Sequence, residues 1–393
     1  MEWKRIVLLF SIVIIIAAFY RVILNNWLPL LREGLEPNTK GKPAKPQLTE
    51  SDSTHGIDCS GNDYSSINAL PLREYFVKAC FNSGYNGSDV STNTIGRRLA
   101  EGYRFLDLNV FSASGGNLYV GFSEDNAPNL VSTSLPFETA MSFIQQWGFT
   151  DNPKVVLPTT LEQTLSPEAI TTPTLRKNSY SYPLFVHIRV YRAPNSQEDI
   201  VKKIANVINK LGYSQFYRDN SNKPVQINGC TTLDKLMGKI VFTMDIENIL
   251  QIYAPTNTPS AEYVPVETIK SIQSFTNMLT GGSTCLAFYD YSDPQLISKT
   301  TKLRLTDPNN AYKTNLKYMY VLFPNPANDI NPDVFKLTVD NSIQFIPVRA
   351  YLNDGVQPYL TNYTKIFDEL KTPFAPMSYV YTTVNSLSSQ PKK

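Results

Sequence analysis

Histidine is nearly missing from this chain, with His55 and His187 the only two among 393 residues. So little imidazole leaves almost nothing for a histidine-ligated metal centre or a paired-histidine acid–base site. Cysteine is scarce too. Cys59, Cys80, Cys230 and Cys285 stand far apart with no CxxC pair, which excludes a zinc ribbon or a dithiol redox motif. Buried thiols are their plain reading, with one or two disulfides if the domain lies in an oxidising compartment. An excess of either charge is also absent, because 36 Lys plus Arg meet 34 Asp plus Glu. Nucleic acid is therefore not expected as a partner. Gly281-Gly282 lacks the Lys and Ser or Thr that would make it a phosphate-binding loop.

What the chain does have begins at its N-terminus. Lys4 and Arg5 precede an apolar run from Ile6 to Tyr20, continued past Arg21 by Val22, Ile23 and Leu24. The run approaches the roughly 20 residues of a spanning helix, and Arg21 can snorkel to the headgroups. Residues 1–24 are expected to be a single-pass anchor. The rival is a cleaved signal peptide, for which Ala17 and Ala18 are suitably small but Phe19, Tyr20 and Arg21 are not. Residues 25–65, with Glu36-Pro37-Asn38 and Lys42-Pro43-Ala44-Lys45-Pro46, form an extended linker.

Beyond the linker, strand-like and helix-like patterns alternate. Strands are expected at Tyr75 to Cys80, Arg104 to Val110, Leu118 to Val120, Leu184 to Tyr191, Lys239 to Met244, Tyr318 to Phe323, Ser342 to Val348 and Met377 to Tyr381. Helices are expected at Ile95 to Glu101, Phe137 to Trp147, Glu198 to Leu211 and Asn362 to Leu370. In the third of these, Ile200, Ile204, Val207, Ile208 and Leu211 form a core-facing stripe. The pattern predicts an α/β fold of the (β/α)8 TIM-type barrel over 66–380, preceded by the transmembrane helix and followed by a polar tail at 381–393. Residues 151–180 and 250–315, rich in Thr, Ser, Asn and Pro, are read as insertions on the barrel rim. Asn86-Gly87-Ser88 and Asn362-Tyr363-Thr364 would be glycosylation acceptors in a secretory compartment.

Several of these segments, in order, resemble phosphatidylinositol-specific phospholipases C of the PLC-like phosphodiesterase superfamily. The run Leu70 to Ser83 resembles the opening of that family's X region, with Asn82 kept and Phe81 where the first catalytic histidine stands. Gly102 to Phe111 looks like the next strand, with Asp107 for a glutamate and Asn109 for an aspartate. Leu118 to Phe122 puts Gly121 at the second catalytic histidine. Pro136 to Ala140 resembles the helix that follows. Tyr182 to Arg189 resembles the strand after that, with His187 for a serine and Arg189 for an acidic metal ligand. Leu233 to Val241 matches a further strand, with Thr243 and Asp245 at the places of phosphate-binding lysines. The X-like part spans 66–247 and a fainter Y-like part 315–380, where Asn325 or Asn328 takes the place of the substrate-binding arginine.

The resemblance implies a barrel that has lost the acid and base needed to cleave a phosphodiester. No catalytic residue is expected at Phe81 or Gly121. Alternation puts Phe185, His187, Arg189 and Tyr191 on one strand face, which the resemblance places inside the barrel, where His187 reads as a hydrogen-bonded core residue. Asn82, Asp107, Asn109 and Arg189 are expected to converge, with the Arg189 guanidinium in the place of the metal, paired with Asp107 and hydrogen-bonded by both amides. No metal or other cofactor is expected, calcium included. The expected role is structural or binding, at a membrane held by the N-terminal helix. Phospholipid headgroups or other proteins would be the partners. Membrane-anchored degenerate members resemble proteins of large DNA viruses, which suggests an internal virion membrane and capsid or other virion proteins. The alternative is an active phosphoric diester hydrolase using Asp107 with His187.

Overall fold

The computed structural model describes residues 70–113, 116–122, 133–150, 179–191, 199–212, 214–228, 230–245, 249, 264–280, 286–290, 319–324, 331, 343–352, 359–377 and 379–380. The expected anchor, linker and polar tail, the 151–178 insertion, His55, Asn325 and Asn328 lie outside these. No described helix is long and apolar enough to cross a membrane.

The elements, in chain order, are β1 (Tyr75–Val77), β2 (Ala79–Cys80), α1 (Thr92–Ala100), β3 (Phe105–Ser112), β4 (Leu118–Gly121), β5 (Leu135–Pro136) and α2 (Phe137–Trp147). They continue with β6 (Leu184–Tyr191), α3 (Ile200–Leu211), α4 (Leu233–Leu236), β7 (Ile240–Asp245), α5 (Val266–Gln273), β8 (Met278–Thr280), β9 (Leu286–Asp290), β10 (Met319–Phe323), α6 (Tyr359–Leu370) and β11 (Phe374–Pro376).

The sheet is parallel through β2, β3, β6, β7, β8, β9 and β10. The β4–β5 ribbon hangs antiparallel on β3, and β11 pairs antiparallel with β1. Residues 343–348 link the last parallel strand to the first. Phe345 bridges in parallel both to Val321 of β10 and to Val77 of β1, and Val348 bridges to Cys80 of β2. Main-chain bonds run on both sides of this segment: Leu322 N–H donates to Phe345 O at 2.9 Å, and Val77 N–H to Gln344 O at 2.9 Å.

Side-chain alternation divides the apolar residues into two layers. One cluster, with Val77, Phe105, Phe185, Val241, Val321 and Phe345, lies on one face of these strands. The other, with Leu106, Val186, Phe242 and Leu322, packs the opposite strand faces against the helices. The helix α3 shows how the sequence sets the outer layer. Asp199 caps it by accepting from Lys202 N–H at 3.0 Å, Gly212 ends it at φ 57°, and Ile200, Ile204 and Ile208 are buried. At β2 the amide of Ala79 donates to the Tyr363 hydroxyl at 2.6 Å, so α6 holds the first strand.

The structure departs from the sequence reading in three places. Within 250–315, the described residues hold α5 and two strands of the central sheet rather than a rim insertion. Phe275, Met278 and Leu279 are buried there, and β8, three residues long, is too short to show a period amid Thr and Asn. Residues 343–348, within the strand expected at Ser342 to Val348, form only isolated bridges, since Pro347 has no N–H to give a ladder. The last strand is Phe374–Pro376, and Met377, Tyr379 and Val380, read as strand, are helical. Proline at 376 can enter a helix's first turn but cannot extend a ladder.

Candidate functional site

The C-terminal ends of the parallel strands gather the residues singled out by the sequence. Asp107 and Asn109 lie on the inward face of β3, and His187 and Arg189 on the inward face of β6. The register sets Asp107 opposite His187 and Asn109 opposite Arg189. Asn82, just past β2, adopts φ 46°, a left-handed conformation that asparagine accepts more readily than most residues. That turn aims its backbone N–H at Asp107 Oδ2, at 2.9 Å.

The cluster is held by one bidentate ion pair. Arg189 Nε donates to Asp107 Oδ1 at 2.7 Å, and Nη2 to Oδ2 at 2.7 Å. Asp107 is fully buried and the Arg189 side chain is 10% exposed, so water screens the pair little. Arg189 Nη2 also reaches Asn82 Oδ1 at 3.3 Å, and Nη1 reaches the Tyr191 hydroxyl at 3.1 Å. Burial weakens the Arg189 cation, but the Asp107 carboxylate outweighs it and leaves the guanidinium above its ordinary pKa. Only one of the two amides touches the arginine: Asn109 Nδ2 donates instead to Asn82 Oδ1.

Phe81 is 4% exposed and lies between two guanidiniums, with Arg189 Cζ 4.6 Å and Arg349 Cζ 5.6 Å from its ring centre. Phe323 offers Arg189 a second face at 5.1 Å. Gly121 is buried opposite Asn109, and its neighbour Phe122 stacks on Tyr85 with ring centres 3.9 Å apart. Tyr351 meets both rings edge-on. Its hydroxyl pKa is pushed up to about 12, chiefly by burial, against the opposing pull of Arg349 and a hydrogen bond to Asn82.

His187 lies deeper. It is fully buried, its Nδ1 is 2.8 Å from Thr243 Oγ1, and its ring packs against Phe105 and Phe323. Burial first, and then the Arg189 charge, push its pKa well below the ordinary value, so the imidazole is neutral. The sequence reading passed over Arg349 and Tyr351. Arg349 is buried, its backbone clamped by Asn331, whose Oδ1 accepts from Arg349 N–H at 2.7 Å and whose Nδ2 donates to Arg349 O at 3.1 Å. Its place just past the bridge at Val348, on the functional end of a parallel strand order, was the available signal.

No family model and no curated protein matches the chain. Among solved structures it is similar to PLC21 of S. officinalis, at 13% identity and TM-score 0.49, over 78% of this chain and 37% of that one. The chain thus spans little more than a third of PLC21. It is similar as well to a calcium-dependent phosphoinositol-specific phospholipase C from Pseudomonas sp. in its myoinositol complex, at 9% identity and TM-score 0.45, over 80% and 98%. A third is a Ca+2-dependent phosphatidylinositol-specific phospholipase C from Streptomyces antibioticus, at 13% identity and TM-score 0.44, over 78% and 99%.

Calcium needs six to eight oxygen ligands with a surplus of negative charge. Here both oxygens of Asp107 are taken by a guanidinium. No group of three or more His, Cys, Asp or Glu suited to a metal occurs among the described residues. The residues do not fit the ion.

Proposed function

We propose that this chain carries a (β/α)8 barrel of the phospholipase C type that no longer cleaves phosphodiesters and serves as a structural or binding module at a membrane. The barrel reading is supported by the parallel strand order and by the bridges of Phe345 to Val321 and Val77. The observation that carries the loss of cleavage is Phe81, a ring without a proton to give, packed between Arg189 and Arg349 where the resemblance puts an acid–base histidine. The other candidate, His187, is fully buried on Thr243, and Asp107 is engaged by Arg189.

The N-terminal run 1–24 would hold the module at the bilayer, with phospholipid headgroups or proteins of that membrane as partners. A virion's internal membrane, with capsid or other virion proteins as neighbours, is the setting that the resemblance favours. The deciding experiment is hydrolysis of phosphatidylinositol in mixed micelles by the full chain, with and without calcium, beside an Asp107→Ala, His187→Ala double variant. Equal, background turnover by both is expected. Turnover that the double variant loses would make the chain an active diesterase with Asp107 and His187 as its catalytic pair. Flotation on liposomes by the full chain, lost when residues 1–24 are deleted, would establish the anchor.

A further inference from the structure

The loop between β2 and α1 is bridged antiparallel at Tyr85 and Val90. Asn86-Gly87-Ser88-Asp89 forms its tip, with Asn86 half-buried and the other three exposed. Three donors converge there on one oxygen. Asn86 Oδ1 accepts from Ser88 N–H at 2.8 Å, from Asp89 N–H at 2.7 Å and from the Ser88 hydroxyl at 3.1 Å. An Asx turn needs only the first of these bonds, and an amide oxygen has two lone pairs to share. Ser88 Oγ is also 3.0 Å from Asp89 Oδ2. Gly87 sits at φ 107°, a conformation natural to glycine, and has no side chain to shield its backbone nitrogen.

We infer that this tip modifies itself: Asn86 and Gly87 close to a succinimide, with the donors on Asn86 Oδ1 acting as an oxyanion hole. Gly87 N attacks Asn86 Cγ, so that an N–Cγ bond forms and the Cγ–Nδ2 bond breaks. Nδ2 leaves as ammonia with the proton that Gly87 N gives up. Negative charge builds on Oδ1 during the addition, where two backbone N–H groups and the Ser88 hydroxyl already point. Water then opens the ring at either carbonyl and leaves an aspartyl or an isoaspartyl linkage. The change reaches the candidate site, because the Tyr85 hydroxyl donates to Gly87 O at 2.7 Å and its ring stacks on Phe122 and meets Tyr351. An isoaspartyl linkage lengthens the main chain by a methylene next to that carbonyl and sets a new carboxylate beside Asp89. None of this depends on the proposed loss of hydrolysis.

The test holds the full chain, made in bacteria so that Asn86 carries no sugar, in heavy-oxygen water at 37 °C and pH 7.4, both folded and unfolded in guanidinium chloride. Mass spectrometry of the tryptic peptide 79–97 follows Asn86 apart from Asn228-Gly229, the second Asn-Gly pair of the chain. Asn86 should convert in the folded chain at least as fast as in the unfolded one, gaining one heavy oxygen and yielding mainly the isoaspartyl form. Ser88→Ala, at an exposed position, should slow the folded chain about 3–10-fold and leave the unfolded rate unchanged, a smaller effect than for a buried oxyanion donor because water reaches the turn. The inherent reactivity of an Asn-Gly pair, acting alone, would make wild type and Ser88→Ala equal. Equal folded rates for the two, or a wild-type Asn86 that converts more slowly folded than unfolded, overturn the inference.

Discussion

Cutting the Asp107–Arg189 pair on one side only should expose how much of the fold's stability depends on it. Arg189→Met keeps an unbranched stem against Phe81 and Phe323 but removes both 2.7 Å contacts, leaving a fully buried carboxylate that still accepts from the Asn82 backbone N–H. At an effective dielectric of about 20, unit charges some 4 Å apart attract by about 4 kcal/mol. Breaking one side of a buried pair typically costs about 3–5 kcal/mol. Asp107→Asn should cost a similar amount, because it strands the cation while keeping an oxygen for the Asn82 amide. The double variant should lie within about 1 kcal/mol of wild type, since neither group is then left charged alone. Urea unfolding of the full chain, followed by tryptophan fluorescence, measures all three. A second arm uses pH. For Arg189→Met it repeats the urea titration at pH 7 and pH 5, where a deficit that does not change with pH is compared with that of the Asp107→Asn variant. Single variants each costing less than about 1 kcal/mol, or a double variant equal to their sum, would refute the reasoning.

Glu74 offers a change in the other direction. Burial pushes its carboxyl up to about 7 from 4.5, against the pull of Arg73 at 3.6 Å. A folded value raised in this way gives stability that is full below pH 4.5 and is lost as pH rises through 7, so Glu74→Gln should stabilise the protein by about 1–3 kcal/mol at pH 8 and by nothing near pH 4; chemical denaturation at the two pH values checks this. His187 has the opposite slope among bases: its depressed folded value means that stability present above pH 6.5 falls as the unfolded chain takes up a proton below it, and His187→Gln, which cannot take up that proton, should lose less between pH 7 and 5 than wild type does. Tyr363→Phe removes the acceptor of the Ala79 amide and should cost about 1–3 kcal/mol, read as an earlier denaturation midpoint with unchanged slope.

The sequence made some of this legible and hid the rest for physical reasons. β3 and β6 are long enough to show alternation, so a period of two put Asp107 with Asn109 and His187 with Arg189 on shared faces, while the resemblance supplied which way those faces turn. Charge on a strand interior was itself the signal, because a lone buried Arg or Asp demands a partner. The pairing of Asn109 with Asn82 rather than with Arg189 was not legible, since it depends on the left-handed turn at Asn82. β8 is three residues long, too short for any period, and it was lost among polar neighbours. Arg349 and Tyr351 follow directly on the strand expected at Ser342 to Val348, so their place was legible, but their contacts with Phe81 and Tyr85 were not. The cysteines were read as buried thiols, or as one or two disulfides in an oxidising compartment; Cys80 is a buried thiol and Cys230 is disulfide-bonded.

The bridges at Phe345 bear on how the chain comes to be folded. The first strands find their last neighbours only when residues near 345 and the α6 tyrosine arrive, and the Ala79–Tyr363 bond spans 284 residues. Until then β1 and β2 on one side and β10 on the other are open strand edges, ready to pair with another copy. Folding of this kind is slow, because loop entropy is lost before the distant contacts form. A nascent chain stopped before residue 343 would thus hold most of its strands and still be a candidate for aggregation. Completion would come only as the final helix leaves the ribosome.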